Sequence, residues 1–225
     1  MFRSNRSLKR LTLFSAVALL AACSAADQAV APAVRHAARP AGAPSLDVIT
    51  NSVAPDSLSA DFTVTPSGGT FVLGNNAVYF PANSICDPAT SSYGPGHWDE
   101  PCTPLDHAID FHAEVRRNDA GQSWVDFTPA VRFVPTDDPN QIVWVMMKAG
   151  TDITADNYAQ FGMQWMPDGT PDVTVNEAAA DTNLVTYVDL NRDVVFRRVK
   201  HFSGYIICTA KTTIDDSLTD VIPLW

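Results

Sequence analysis

The chain predicts an all-β protein, specifically an antiparallel β-sandwich, and three observations carry that expectation. Short runs rich in β-branched and aromatic residues recur at intervals of about 8 to 12 residues beyond residue 60. Gly, Pro, Asn and Asp cluster between them, the residue types that tolerate turn geometry. One stretch alone, Val175 to Asp181 (VNEAAAD), has the composition of a helical turn.

The elements follow in chain order. Arg3, Arg6, Lys9 and Arg10 precede the apolar run Leu11 to Ala22, which ends in Leu20-Ala21-Ala22-Cys23. A positive start, an apolar stretch too short to span a bilayer and small residues at the end describe an export signal over residues 1–22. The small residues lead directly into a thiol, which makes this a bacterial lipoprotein leader. Cys23 is then the mature first residue, thioether-linked to membrane lipid; the alternative is a plain secretory leader followed by a chance cysteine. Ser24 follows where aspartate would favour retention at the inner membrane, so an outer-membrane address is expected. Residues 23–59 are rich in Ala, Pro and Ser without a period that could bury a face, and are expected to be a disordered tether.

The sandwich is placed at residues 60–211 and a tail at residues 212–225. Asp61 to Thr65, Thr70 to Leu73 and Ala77 to Phe80 form a meander, turned at Pro66-Ser67-Gly68-Gly69 and Gly74-Asn75-Asn76. His107 to Arg117 alternates, with Ile109, Phe111, Ala113 and Val115 on the buried face. Trp124 to Phe127 and Ala130 to Val134 follow, with Pro129 marking an edge or break. Gln141 to Lys148 is apolar on both faces and reads as a central strand. Tyr158 to Met166 and Asn183 to Val188 come next. Val194 to Ala210 then reads as two apolar strands joined by a corner at His201 to Gly204. There, His201 and Ser203 are expected to bond backbone while Phe202 or Tyr205 packs inward.

Removing the leader takes four positive residues and no acid, so the formal charge goes from −10 to −14. Such an acidic chain, with no basic run beyond residue 39 longer than an Arg pair, has no footprint for a nucleic-acid backbone. About 165 residues past the tether suit one domain with a sizeable core. Export places Cys86, Cys102 and Cys208 in an oxidising compartment. Cys86 and Cys102 bracket a Pro/Gly/Ser-rich loop and are the expected disulfide, worth roughly 3 kcal/mol on the chain-entropy model. Cys208, in an apolar strand, is expected to be a buried free thiol or else to bridge to a loop cysteine.

Three pieces of the chain resemble landmarks of the ZU-five domain, the β-sandwich of zonula occludens, Unc-five and ankyrin proteins. They are Pro66-Ser67-Gly68-Gly69-Thr70, Tyr79-Phe80-Pro81-Ala82 and Val199-Lys200-His201-Phe202-Ser203-Gly204-Tyr205, in the family's order. Asn83-Ser84 departs from the glycine-alanine that usually follows the proline, and the Cys86–Cys102 loop looks inserted. The resemblance spans Phe62 to Ala210 and implies a non-catalytic interaction module, with no catalytic residues to carry over.

The residues themselves offer few reactive constellations. Cys86, His97, Asp99, Glu100, Cys102, His107 and His112 could together satisfy zinc, but no Cys-x-x-Cys or His-Glu-x-x-His spacing is present and export favours the disulfide. Asp189-x-Asn191-x-Asp193 resembles the start of a calcium loop, yet Val194 stands in place of the turn glycine and Lys200 in place of the twelfth-position glutamate. Ser203 beside His201 lacks a nucleophile elbow, and Asp110, His112 and Glu114 share what reads as a solvated strand face. Among the tryptophans, Trp98 is the candidate ligand contact; Trp144 and Trp165 sit in apolar strands and read as core. The expectation is therefore a membrane-anchored module, held to lipid through Cys23, that binds an unknown protein or glycan partner with no cofactor, metal or turnover. The alternative is a carbohydrate-binding module or a metal-dependent hydrolase using the Cys86 to His112 region.

Overall fold

The computed structural model describes residues 34–35, 39–49, 57–119 and 121–209. Its strands are β1 (Val34–Arg35), β2 (Ser57–Val64), β3 (Gly69–Leu73), β4 (Asn76–Phe80), β5 (Ile109–Arg117) and β6 (Ser123–Arg132). They continue with β7 (Val143–Lys148), β8 (Phe161–Met166), β9 (Thr186–Asp189), β10 (Val194–Val199) and β11 (His201–Thr209). Two sheets result, ordered β1-β9-β10-β7-β4-β3 and β2-β5-β6-β11-β8. Every pairing is antiparallel except the short parallel contact of β1 with β9. Among the described residues, helix is limited to three-residue 3₁₀ turns, one of them at Glu177–Ala179 inside the stretch with helical composition. The all-β expectation holds.

The inner faces of the sheets meet on a phenylalanine cluster. Phe202 stacks on Phe127 with ring centroids 4.1 Å apart, and Phe80, Phe111 and Phe133 meet it edge-on at 5.3, 5.5 and 5.0 Å. Offset and edge-on contacts of this kind let the negative ring face meet a positive ring edge. One of the rings comes from β4 in the first sheet and three from β5, β6 and β11 in the second, so the cluster ties the layers together.

The stretch expected to form a hairpin does something else. β10 and β11 belong to different sheets, and the corner lies at Lys200 rather than at His201 to Gly204, which are already strand. Both Phe202 and Tyr205 are fully buried, so the chain passes from one layer to the other where large aromatic side chains fill the space between them. Pro129 likewise does not end its strand. Against β11, residues 127–130 of β6 bulge between the pairs Val131–Phe202 and Asp126–Gly204, which accommodates a residue without a backbone donor inside a sheet.

The tether reading of residues 23–59 needs correction where the chain is described. β1 pairs with β9, Ser57 already belongs to β2, and residues 39–49 form a strap over the outer face of the first sheet. Ala43, Leu46 and Ile49 are buried there with Ala77, Trp144, Met146, Tyr187 and Phe196. Asp47 pairs with Arg192 at the strap's edge. The physical reason is that β7 is apolar on both faces: Val143, Val145 and Met147 face the other sheet, and Trp144 and Met146 would meet water without a cover.

Cys86 and Cys102 form the expected disulfide, with Cα atoms 5.6 Å apart. Cys208 is disulfide-bonded rather than a free thiol, and because Cys86 and Cys102 hold each other, a bridge to either of them is excluded as well. The leader, Cys23 and the tail at residues 212–225 lie outside the described residues.

Candidate functional site

The disulfide loop is clamped onto the corner where β10 gives way to β11. Arg132 donates to the carbonyls of Glu100 and Pro101, and the Tyr93 hydroxyl donates to the Phe202 carbonyl at 2.7 Å. Trp98 then stacks on His201, with centroids 4.1 Å and planes 19° apart, and meets Trp165 edge-on. Trp98 is 8% exposed, so it has no open face on which a sugar ring could stack. Its role is to wall a cleft and to seal His201.

Beneath it lies a buried polar cluster. His201 and Arg197 are both 0% exposed. The Glu177 carboxylate accepts from both: Oε1 lies 2.8 Å from His201 Nε2, and Oε2 lies 3.0 Å from Arg197 Nη2. Arg197 also donates to the Met163 carbonyl at 2.7 Å and lies over the Tyr205 ring, whose hydroxyl donates to the His201 carbonyl at 2.8 Å. Burial works against the Glu177 charge, but the His201 hydrogen bond and the Arg197 guanidinium outweigh it and hold the carboxyl below its ordinary range. His201 thus bonds a carboxylate, not the backbone as the corner reading expected. Ser203 does reach the backbone as expected, donating to the Met166 carbonyl at 3.5 Å, and it also accepts from the Trp165 indole N–H at 2.7 Å.

The cleft itself opens beside Trp98, between the chain after β6, the start of β7, the turn at Asp181 to Leu184 and the end of β10. Its volume is about 530 Å³, within the range of small-ligand sites. Lys200 reaches it between two acids, 2.6 Å from Asp99 and 2.8 Å from Asp181. Burial disfavours the ammonium, but Asp181 and Asp99 raise Lys200 above its usual range. Arg198 also lines the cleft, its guanidinium over the Trp144 ring at 5.4 Å. Asp137, Gln141 and Asn183 supply exposed polar groups at the rim.

The other residues weighed from sequence do not converge. His97 pairs with Glu100, His107 with Asp106, Asp99 with Lys200, and both cysteine sulfurs are in the disulfide. Among the described residues no three His, Cys, Asp or Glu side chains come together to hold a metal. Asp189 caps its own turn, accepting from the backbone N–H of Asn191 and Arg192, while Asp193 accepts from Ile153 N and faces Lys148. His112 sits on the outer face of the second sheet between Asp61, 2.6 Å away, and Glu114, 3.1 Å away. Hydrogen bonds from its ring to those two carboxylates raise its pKa.

Glu177, Arg197 and Arg198 are the residues that sequence reasoning missed. Two adjacent arginines inside the apolar run VVFRRV were a signal, since a strand buried on one or both faces rarely carries a charge without a partner for it. Nothing in the chain, however, pointed to Glu177 as that partner, 20 residues away. No protein-family model matches this chain, and no curated protein or solved structure proved similar to it.

Proposed function

We propose that this chain is a lipoprotein of the bacterial cell envelope, joined to the outer membrane through lipid on Cys23, whose β-sandwich binds a protein or glycan partner without turning it over. The lipoprotein leader supports the address. The resemblance to the ZU-five domain supports the interaction role, and its three landmarks fall at the start of β3, the end of β4 and the β10–β11 corner.

The observation that carries the binding role is the end cleft. It is open, of ligand size and lined by side chains that can hold a molecule, whereas the nearest pair suited to proton transfer, Glu177 and His201, is sealed under Trp98 and occupied by Arg197. A group that cannot touch a ligand cannot move its protons.

A photo-crosslinking residue placed at Gln141 or Asn183 in cells tests the binding role, and the mass of the amino-terminal peptide tests the address. Adducts from both rim positions and none from exposed Val72 on β3, together with a diacylglyceryl mass at Cys23, are expected. Adducts independent of position, or an unmodified Cys23 in a soluble fraction, would refute the corresponding half.

A further inference from the structure

The end cleft contains a cation that the described residues leave without an anion. Arg198 is half-buried, its Nε is fully buried with no hydrogen-bond partner, and no ion pair reaches it from the described residues. Lys200, two residues on, is held by two carboxylates in the same cleft. In a mature chain of formal charge −14, a partly desolvated guanidinium without a carboxylate does not reflect a shortage of acids. Such a group is costly alone and regains free energy when a planar anion reaches it, because its fork of N–H donors matches a carboxylate.

We infer that the cleft binds an acidic oligosaccharide, with Arg198 taking the carboxylate of a uronic-acid-type sugar and Asp137, Gln141 and Asn183 reading its hydroxyls. The inference rests on the binding role proposed above and names the class of ligand. Three features select this class. The cleft sets Asp99, Asp137 and Asp181 against Lys200 and Arg198, a net formal charge of −1, which disfavours a phosphate dianion but admits one carboxylate among neutral hydroxyls. The rim side chains offer both donors and acceptors, as vicinal hydroxyls require. The strands that line the cleft, β7 and β10, are both interior to their sheet, so no free strand edge is available to pair with an extended peptide. Recognition would proceed through hydrogen bonds and the Arg198 carboxylate pair, since Trp98 has no exposed face to stack.

Titration calorimetry of the full mature chain tests this with three probes: a trisaccharide carrying one glucuronic acid and two neutral sugars, the same trisaccharide with its carboxyl reduced to an alcohol, and triglutamate. The uronide is expected to bind, with the reduced sugar and the peptide each at least about tenfold weaker. Arg198→Gln should weaken uronide binding at least about tenfold and leave the reduced sugar unaffected, and Arg198→Lys should recover part of the loss. Because Arg198 also packs on Trp144, its variants could lose the fold. Asn183→Ala and Asp137→Ala, at exposed rim positions, serve as the independent check and should each weaken the uronide several-fold. Equal affinity for acid and reduced sugar, tighter binding of triglutamate, insensitivity of a folded Arg198→Gln or of the rim variants, or no uronide binding at all would each overturn the inference. Position-specific crosslinks from Gln141 and Asn183 alongside any of those results would leave the binding role standing and remove only its ligand.

Discussion

Removing the Glu177 carboxylate should cost more than any other single polar substitution in the corner. The carboxylate is shared by two fully buried groups, Arg197 at 3.0 Å and His201 at 2.8 Å. Glu177→Ala leaves the guanidinium in the core with two carbonyl acceptors, Met163 at 2.7 Å and Arg198 at 3.3 Å, and no counter-charge. An uncompensated buried charge costs about 3–5 kcal/mol, and the retained carbonyls put this case near the lower end. Glu177→Gln keeps one acceptor and should cost about 1–3 kcal/mol. Adding Arg197→Met to Glu177→Ala removes the orphaned charge and should recover most of the loss, so the two substitutions are strongly non-additive. Urea unfolding at pH 7 reads these as shifts of midpoint at constant slope. The pH dependence gives a second readout. The Glu177 pKa is lower in the folded chain than its ordinary 4.5, so the stability it contributes is present above that value and disappears as pH falls through the lower folded one. The wild type should lose stability across that window and Glu177→Ala should lose less. A cost below about 1 kcal/mol for Glu177→Ala, or a double variant as unstable as the single one, would refute the reasoning.

Three further outcomes follow from the same structure. Replacing Cys86 and Cys102 by serine should cost roughly 3 kcal/mol on the chain-entropy model, measured by thermal unfolding under non-reducing conditions; no change would mean that the Arg132 and Tyr93 contacts hold the loop unaided. Leu46→Ala should cost about 2–5 kcal/mol because Leu46 is buried against the outer face of the first sheet, whereas a disordered tether would make the substitution neutral in a denaturant melt. The His112 imidazole should titrate above its ordinary 6.5 by NMR because Asp61 and Glu114 stabilise its charged form; what it adds to stability is present at low pH and lost as pH rises through the folded value, and a titration at or below 6.5 would contradict the contacts.

What the sequence made legible follows from how local each signal is. Alternation in Ile109 to Val115, Gly and Asn at the turns, and the doubly apolar β7 depend on neighbours within a few residues, so strands and turns were readable. The β10–β11 corner misled because two apolar runs around a polar bend look alike whether the strands pair or part into different layers. Lys200 is polar there because it faces Asp99 and Asp181, not because it tips a hairpin. The strap was hidden for a related reason: Ala43, Leu46 and Ile49 are three anchors without a helical or strand period, and an Ala/Pro-rich composition averages them away. The cleft was least legible, since its lining comes from segments as far apart as Trp98 and Lys200. Trp98, the candidate ligand contact from sequence, covers His201, which only the folding of the disulfide loop onto the corner could reveal.

The central claim is that this sandwich acts by holding a partner in its end cleft and not by chemistry. Amide chemical-shift mapping of the isotope-labelled mature protein against a solubilised cell-envelope fraction, with the fraction's composition followed over time, tests it most directly. The account predicts shifts concentrated at residues 133–143, 181–184 and 198–200 and an unchanged ligand pool. Shifts confined to the outer faces of the sheets, or a ligand pool converted to product, would contradict it.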